Sequence, residues 1–170
     1  MRRHPGYTLI EVLIAVAVIA TLAGLALPSL RAWQQNALQA SRTTAFVVSA
    51  QLARGEALRR MSPVTLCASA DGTRCDQDYA RGWIVFEDED EDGDHQAGEP
   101  LLDHYAAQAE GAVRSTRPRY VWRAYGRRST NGTVTFCSPT DASRSRAVIV
   151  SYTGRPRTSD RLSGGERLGC

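Results

Sequence analysis

Lysine is absent from the 170-residue chain, so all 21 Lys/Arg positions are arginine. Each guanidinium carries a planar fork of donors that suits bidentate contact with phosphates or carboxylates. Histidine is scarce, with only His4, His95 and His104. No serine or cysteine nucleophile motif surrounds them, and the chain has no Gly-x-Ser-x-Gly, no phosphate-cradling glycine loop and no His-x-x-x-His. Nucleophilic and general-base catalysis thus lack the residues they need, and the chain is expected not to be an enzyme. The four cysteines show neither the close Cys pair nor the paired His of a zinc site.

Charge is present but unevenly placed. Residues 1–70 carry seven arginines against two acids, residues 71–103 two against twelve, and residues 104–170 twelve against four. The mean of +3 hides an acidic part and a basic part, and the basic C-terminal third suits a polyanion or anionic surface as partner.

The apolar residues are concentrated at the start. After MRRHPGYTLIE comes the uncharged run Val12–Leu27, and Leu9–Leu30 reaches the ~20 residues that span a bilayer. Glu11 stands at its threshold. A carboxylate in lipid costs about 2.5–3.5 kcal/mol, which marks it as a functional group awaiting a partner. An ordinary secretory signal places its small-residue cleavage site after the apolar core, whereas Gly6 precedes it here. Arg2 and Arg3 would hold the leader in the cytoplasm and put the C-terminal domain outside.

Few turn signals interrupt Thr8 to Met61, which predicts one helix of about 80 Å ended by Ser62-Pro63. Pro28 is placed to bend it. Beyond Arg31, Trp33, Ala37, Leu38, Ala45, Val48, Leu52 and Leu58 recur at helical spacing and predict a core-facing stripe. β-type segments follow at Val64–Ser69, Gly82–Glu87, Ala112–Arg117, Tyr120–Ala124, Thr133–Cys137 and Ala147–Tyr152, separated by turns. The expected fold is α+β, a long helix packed on an antiparallel sheet. Its parts are a leader (1–6), an apolar membrane helix (7–30), an amphipathic half (31–62) and a β-rich head with a C-terminal tail (63–170). Four cysteines allow three pairings. Cys67–Cys75 would close a short loop and Cys137–Cys170 would tie down the tail, although sequence alone does not choose among the three.

The N-terminal pattern Gly6-Tyr7-Thr8-Leu9-Ile10-Glu11 resembles that of type IV pilins and pseudopilins. The resemblance implies cleavage after Gly6 by a prepilin peptidase and N-methylation of Tyr7. It also implies pairing of Glu11 with a neighbouring subunit's N-terminal amine, so that the helix assembles with other pilins. The order of weaker motifs further on resembles the FimT and GspH branch of that family. These are Cys67, Gly82-Trp83-Ile84-Val85-Phe86, Gly98-Glu99-Pro100-Leu101-Leu102, Thr133-Val134-Thr135-Phe136-Cys137, and Ile149-Val150-Ser151 before Gly154-Arg155. In FimT-like minor pilins a Gly-Arg-x-Arg segment at the place of Gly154-Arg155-Pro156-Arg157 is associated with binding extracellular double-stranded DNA during natural transformation. On that likeness Arg155 and Arg157 are the candidate phosphate contacts, helped by Arg144, Arg146, Arg161 and Arg167. Arg123, Arg127 and Arg128 form a second basic group. The likeness also implies an inner-membrane protein with a periplasmic head that becomes extracellular in the pilus. A structural pseudopilin of a type II secretion system, or a pilus-initiating minor pilin without a ligand, is the alternative.

Asp88–Glu99 fits the calcium-loop template, with Asp88, Asp90, Asp92 and Glu99 at side-chain positions, Gly93 at the sharp turn and Asp94 able to give its carbonyl. Its flanks read as strands and His95 stands where a hydrophobic residue is usual, so an exposed acidic hairpin turn is the competing reading.

Overall fold

The computed structural model describes residues 8–107, 111–124, 127–139 and 141–170, with residues 25–28 as backbone. Gly6 and Tyr7 lie outside the described residues. The chain divides into two compact units between Gln34 and Gln35.

The first unit is the start of helix α1 (Leu9–Arg60). Thr8 caps it. Its backbone N–H and its hydroxyl both donate to Glu11 Oε2, at 2.9 and 2.8 Å, while Glu11 N–H lies 3.4 Å from the Thr8 hydroxyl. This is the reciprocal capping arrangement that Thr-x-x-Glu encodes. The apolar side chains that follow are exposed, among them Leu9, Ile14 and Ile19, and the segment is long and apolar enough to cross a membrane.

The second unit is the head. The strands are β1 (Val64–Ala68), β2 (Gly82–Glu87), β3 (Leu101–Ala106), β4 (Val113–Ser115), β5 (Arg119–Trp122), β6 (Gly132–Phe136), β7 (Arg146–Val150) and β8 (Pro156–Ser159). They form two four-stranded sheets, ordered β3-β2-β1-β5 and β4-β6-β7-β8, and every pairing is antiparallel. The strands expected from sequence are all present, with ends shifted by a few residues. β3 and β8 are additional. Both lie at sheet edges, where one-sided burial weakens the apolar signal, and Pro156 is tolerated because it opens an edge strand. The cysteines pair as Cys67–Cys75 and Cys137–Cys170, the second fixing the tail beside the end of β6.

The helix buries a different face from the one its large apolar residues predict. Trp33 and Val48 are 68% and 57% exposed, whereas Arg42, Phe46, Ala50, Ala53 and Ala57 are fully buried. Ala50, Ala53 and Ala57 join one core cluster with residues of both sheets, and Phe46 is the large apolar side chain on that face. Phe46 enters the gap between the sheets, making edge-to-face contacts with Trp83 of β2, Tyr120 of β5 and Phe136 of β6 at 5.3, 6.1 and 5.7 Å between ring centroids. Such contacts are worth about 0.5–1.5 kcal/mol each beyond burial.

One turn earlier, Arg42 is sealed in the same core. Its guanidinium donates to the carbonyls of Tyr79, Ala80 and Gly111 at 3.0, 2.5 and 3.3 Å and lies 5.9 Å from the Phe136 ring centre. Burial lowers its pKa, opposed by Tyr105 and Asp78. At the helix end, Met61 takes a left-handed conformation (φ 58°), and Arg60 joins Glu56 to Glu87 of β2 at 2.7 and 2.6 Å. Arg42→Met should lower head stability by about 3 kcal/mol, since one buried and two part-buried carbonyls lose a charged donor. A fall in denaturation midpoint at unchanged slope would register it, and an unchanged midpoint would refute the role given to Arg42.

Candidate nucleic-acid interface

The Gly154-Arg155-Pro156-Arg157 segment forms the turn between β7 and β8 and the start of β8. Four consecutive carbonyls in this turn are occupied. Tyr152 O accepts from Ser129 N–H at 3.1 Å, Thr153 O from Arg54 Nε at 3.2 Å, Gly154 O from the Trp122 indole at 2.8 Å, and Arg155 O from Ser151 N–H at 3.2 Å. Gly154 N–H in turn donates to Ser151 O at 2.8 Å. The turn is thus held by the helix, by β5 and by the β5–β6 connection. Gly154 is required on two counts. Its φ is +73°, and a Cβ there would lie 2.5 Å from Trp122 Cδ1.

Arg155 and Arg157 are both exposed, and no ion pair engages either of them among the described residues. Arg157 sits on edge strand β8 opposite Ile149 rather than within the turn. Gln51, Arg54, Arg155 and Pro156 line a shallow concavity of 280 Å³, so the helix supplies a cation that sequence reasoning missed. Arg128, from the second basic group, lies with its guanidinium carbon 5.4 Å from the centre of the Tyr152 ring.

The remaining predicted helpers lie elsewhere. Arg144 pairs with Asp141 at 3.6 Å, and Arg146, at the opposite end of β7 from the turn, donates to the carbonyls of Ser143 and Ser145. Arg161 follows the far end of β8, donates to Gly165 O and bridges to Arg167. Arg123 and Arg127 both bind Glu91 of the acidic loop. Burial pushes the Glu91 pKa up, but these two guanidinium groups outweigh it and hold the carboxyl below its ordinary value.

That acidic loop joins β2 to β3. Carboxylate oxygens of Asp88, Asp90 and Glu99 come within 4.8 Å of one another. Asp88 is fully buried and accepts from the Thr65 hydroxyl at 2.5 Å. Gln96 donates to Asp90 and Asp92 at 3.2 and 2.6 Å. Asp94 faces Arg119 at 3.6 Å. Burial, followed by the charges of Asp88, Asp90 and Asp92, raises the Glu99 pKa despite a hydrogen bond from Gln96 N–H. His95 fills the hydrophobic place in the loop by packing edge-on against Phe86, with 5.1 Å between ring centroids.

Residues 1–27 match the prokaryotic N-terminal methylation motif, and residues 42–154 match the family described as type II transport protein GspH. The chain belongs to the GspH family. Its fold is shared with two crystal structures of the type IV minor pilin FimU from Pseudomonas aeruginosa strain PAO1. One is 20% identical, covers 74% of this chain and 90% of that one, and has a TM-score of 0.58. The other is 17% identical, with coverage of 70% and 90% and a TM-score of 0.53. No curated protein matches the chain in sequence. Family and fold are those of structural pilins, not of an enzyme. The methylation motif spans Gly6, Tyr7 and Glu11 and implies prepilin peptidase processing, with the apolar helix as membrane anchor and as the contact with other pilins.

In this GspH-family head the Gly154–Trp122 contact is open to a direct test. Gly154→Ala should destabilise the head by about 2 kcal/mol through the left-handed backbone and the Trp122 clash, read by denaturation and by a shift in indole emission. Unaltered stability and emission would contradict the close approach.

Proposed function

We propose that the protein is a minor type IV pilin, FimT-like, whose head binds extracellular double-stranded DNA without sequence preference for uptake in natural transformation. The observation that carries the reading is the exposure of Arg155, in a turn whose backbone carbonyls are already satisfied, and of Arg157, on the edge strand that follows it. Such a turn offers a ligand side-chain cations and few competing acceptors. Guanidinium forks at that place suit phosphate contacts, which position a duplex without reading its bases. Gly6 marks the processing point, Tyr7 becomes the methylated N-terminus, and Glu11 meets a neighbour's amine during assembly. The head faces the periplasm before assembly and the exterior afterwards.

Replacing both Arg155 and Arg157 with Gln should weaken binding by a similar factor on unrelated duplexes. It should also flatten the salt dependence by about 0.9 in log–log slope for each phosphate no longer neutralised. Titrations at several salt concentrations decide it. Unchanged affinity and slope would remove these residues from the site. A wild-type chain that binds no DNA at low salt would favour the structural reading, a pseudopilin of type II secretion, which the family description supports.

The convergence of Asp88, Asp90 and Glu99 supports a second, independent reading, calcium held by the acidic loop with Asp92 and Asp94 completing the ligand set. Binding to the folded state alone raises stability by mass action. The melting temperature of chelator-stripped protein should therefore rise on adding millimolar calcium, and no rise would leave the loop an acidic hairpin.

A further inference from the structure

Tyr152 places an aromatic ring at the apex of the β7–β8 turn, where it is 54% exposed. Nothing in the core requires it there, since the turn is fixed through its backbone. Tyr152 O is held by Ser129 N–H, and the next two carbonyls by Arg54 and Trp122. The ring is therefore carried on an ordered support. Arg128 lies 5.4 Å from its centre, and the exposed Arg155 follows three residues on.

An open aromatic ring with an arginine beside it differs from an all-cationic duplex-binding patch. In a duplex the faces of the bases are occupied by neighbouring bases, so a surface ring meets only sugar and phosphate. An unpaired strand offers free base faces, and single-strand sites combine a cationic track with aromatic rings on which bases stack. We propose that Tyr152 is a stacking platform for an unpaired base and that the head holds single-stranded DNA, including frayed ends, more tightly than duplex. The proposal rests on the DNA-binding reading above. Arg128 contributes by holding the ring and by adding a cation to the track, and Arg155 and Arg157 take the phosphates on either side.

The test uses the full chain in detergent with two probes at one salt concentration, an oligothymidylate of about twelve nucleotides and a mixed-sequence duplex of the same length. Wild type should prefer the single strand. Tyr152→Leu should lose about tenfold on the single strand and less than twofold on the duplex, at an unchanged melting temperature, while Tyr152→Phe should behave as wild type. An abasic strand of the same length should bind wild type and Tyr152→Leu equally. A wild-type chain without single-strand preference, or a Leu variant that changes neither probe or both equally, would overturn the proposal. If the duplex still binds and responds to the Arg155 and Arg157 changes, only the stacking role falls. If wild type binds neither probe, the DNA reading falls with it.

Discussion

The head is organised around a buried guanidinium. Arg42 meets the carbonyls of the segment leading into β2 and of Gly111 just before β4, so one side chain links the approaches to both sheets. A buried cation needs matched donors, and the two terminal nitrogens of Arg42 find theirs only where the helix brings them to these carbonyls. Phe46 then falls between the sheets. Arg54, twelve residues beyond Arg42 or about 18 Å along the axis, arrives at Thr153 O. A slip of one residue would rotate the helix by about 100°, moving Arg54 off the β7–β8 turn and Arg42 off its carbonyls. The setting that closes the core therefore also shapes the candidate ligand surface.

Much of this was legible in the residues, for identifiable reasons. β2 has the bounds read from Gly82–Glu87 because a run of large apolar residues between turn signals is specific. The helix end at Ser62-Pro63 was equally plain. The buried face of the helix was not, because Ala50, Ala53 and Ala57 owe their burial to shape, and hydrophobic periodicity weighs size rather than fit. β3, with Asp103 and His104 at its centre, reads as loop until β2 pairs with it. Glu11 is legible as a lone carboxylate before an apolar run, and its bond to Thr8 is encoded in Thr-x-x-Glu.

At the candidate site, Arg155 and Arg157 were visible as a local motif, and Asp88–Glu99 as a spacing. Arg54 lies 99 residues from the carbonyl it binds, and Arg128 meets Tyr152 only because Ser129 is joined to the turn backbone. Such pairings are tertiary and leave no local trace. The division of the arginines is tertiary as well. The acidic loop neutralises Arg123 and Arg127 through Glu91, which separates them from the cations that no ion pair engages among the described residues.

Strand β8 ends its sheet with one side unpaired among the described residues. Bare edges invite strand addition from neighbouring molecules, and proline and charged residues are the usual deterrents. Pro156 withholds a donor at the start of β8, and Arg157 places a fixed positive charge in its middle. The side chain proposed above to meet a phosphate is therefore also one that discourages like heads from zipping together.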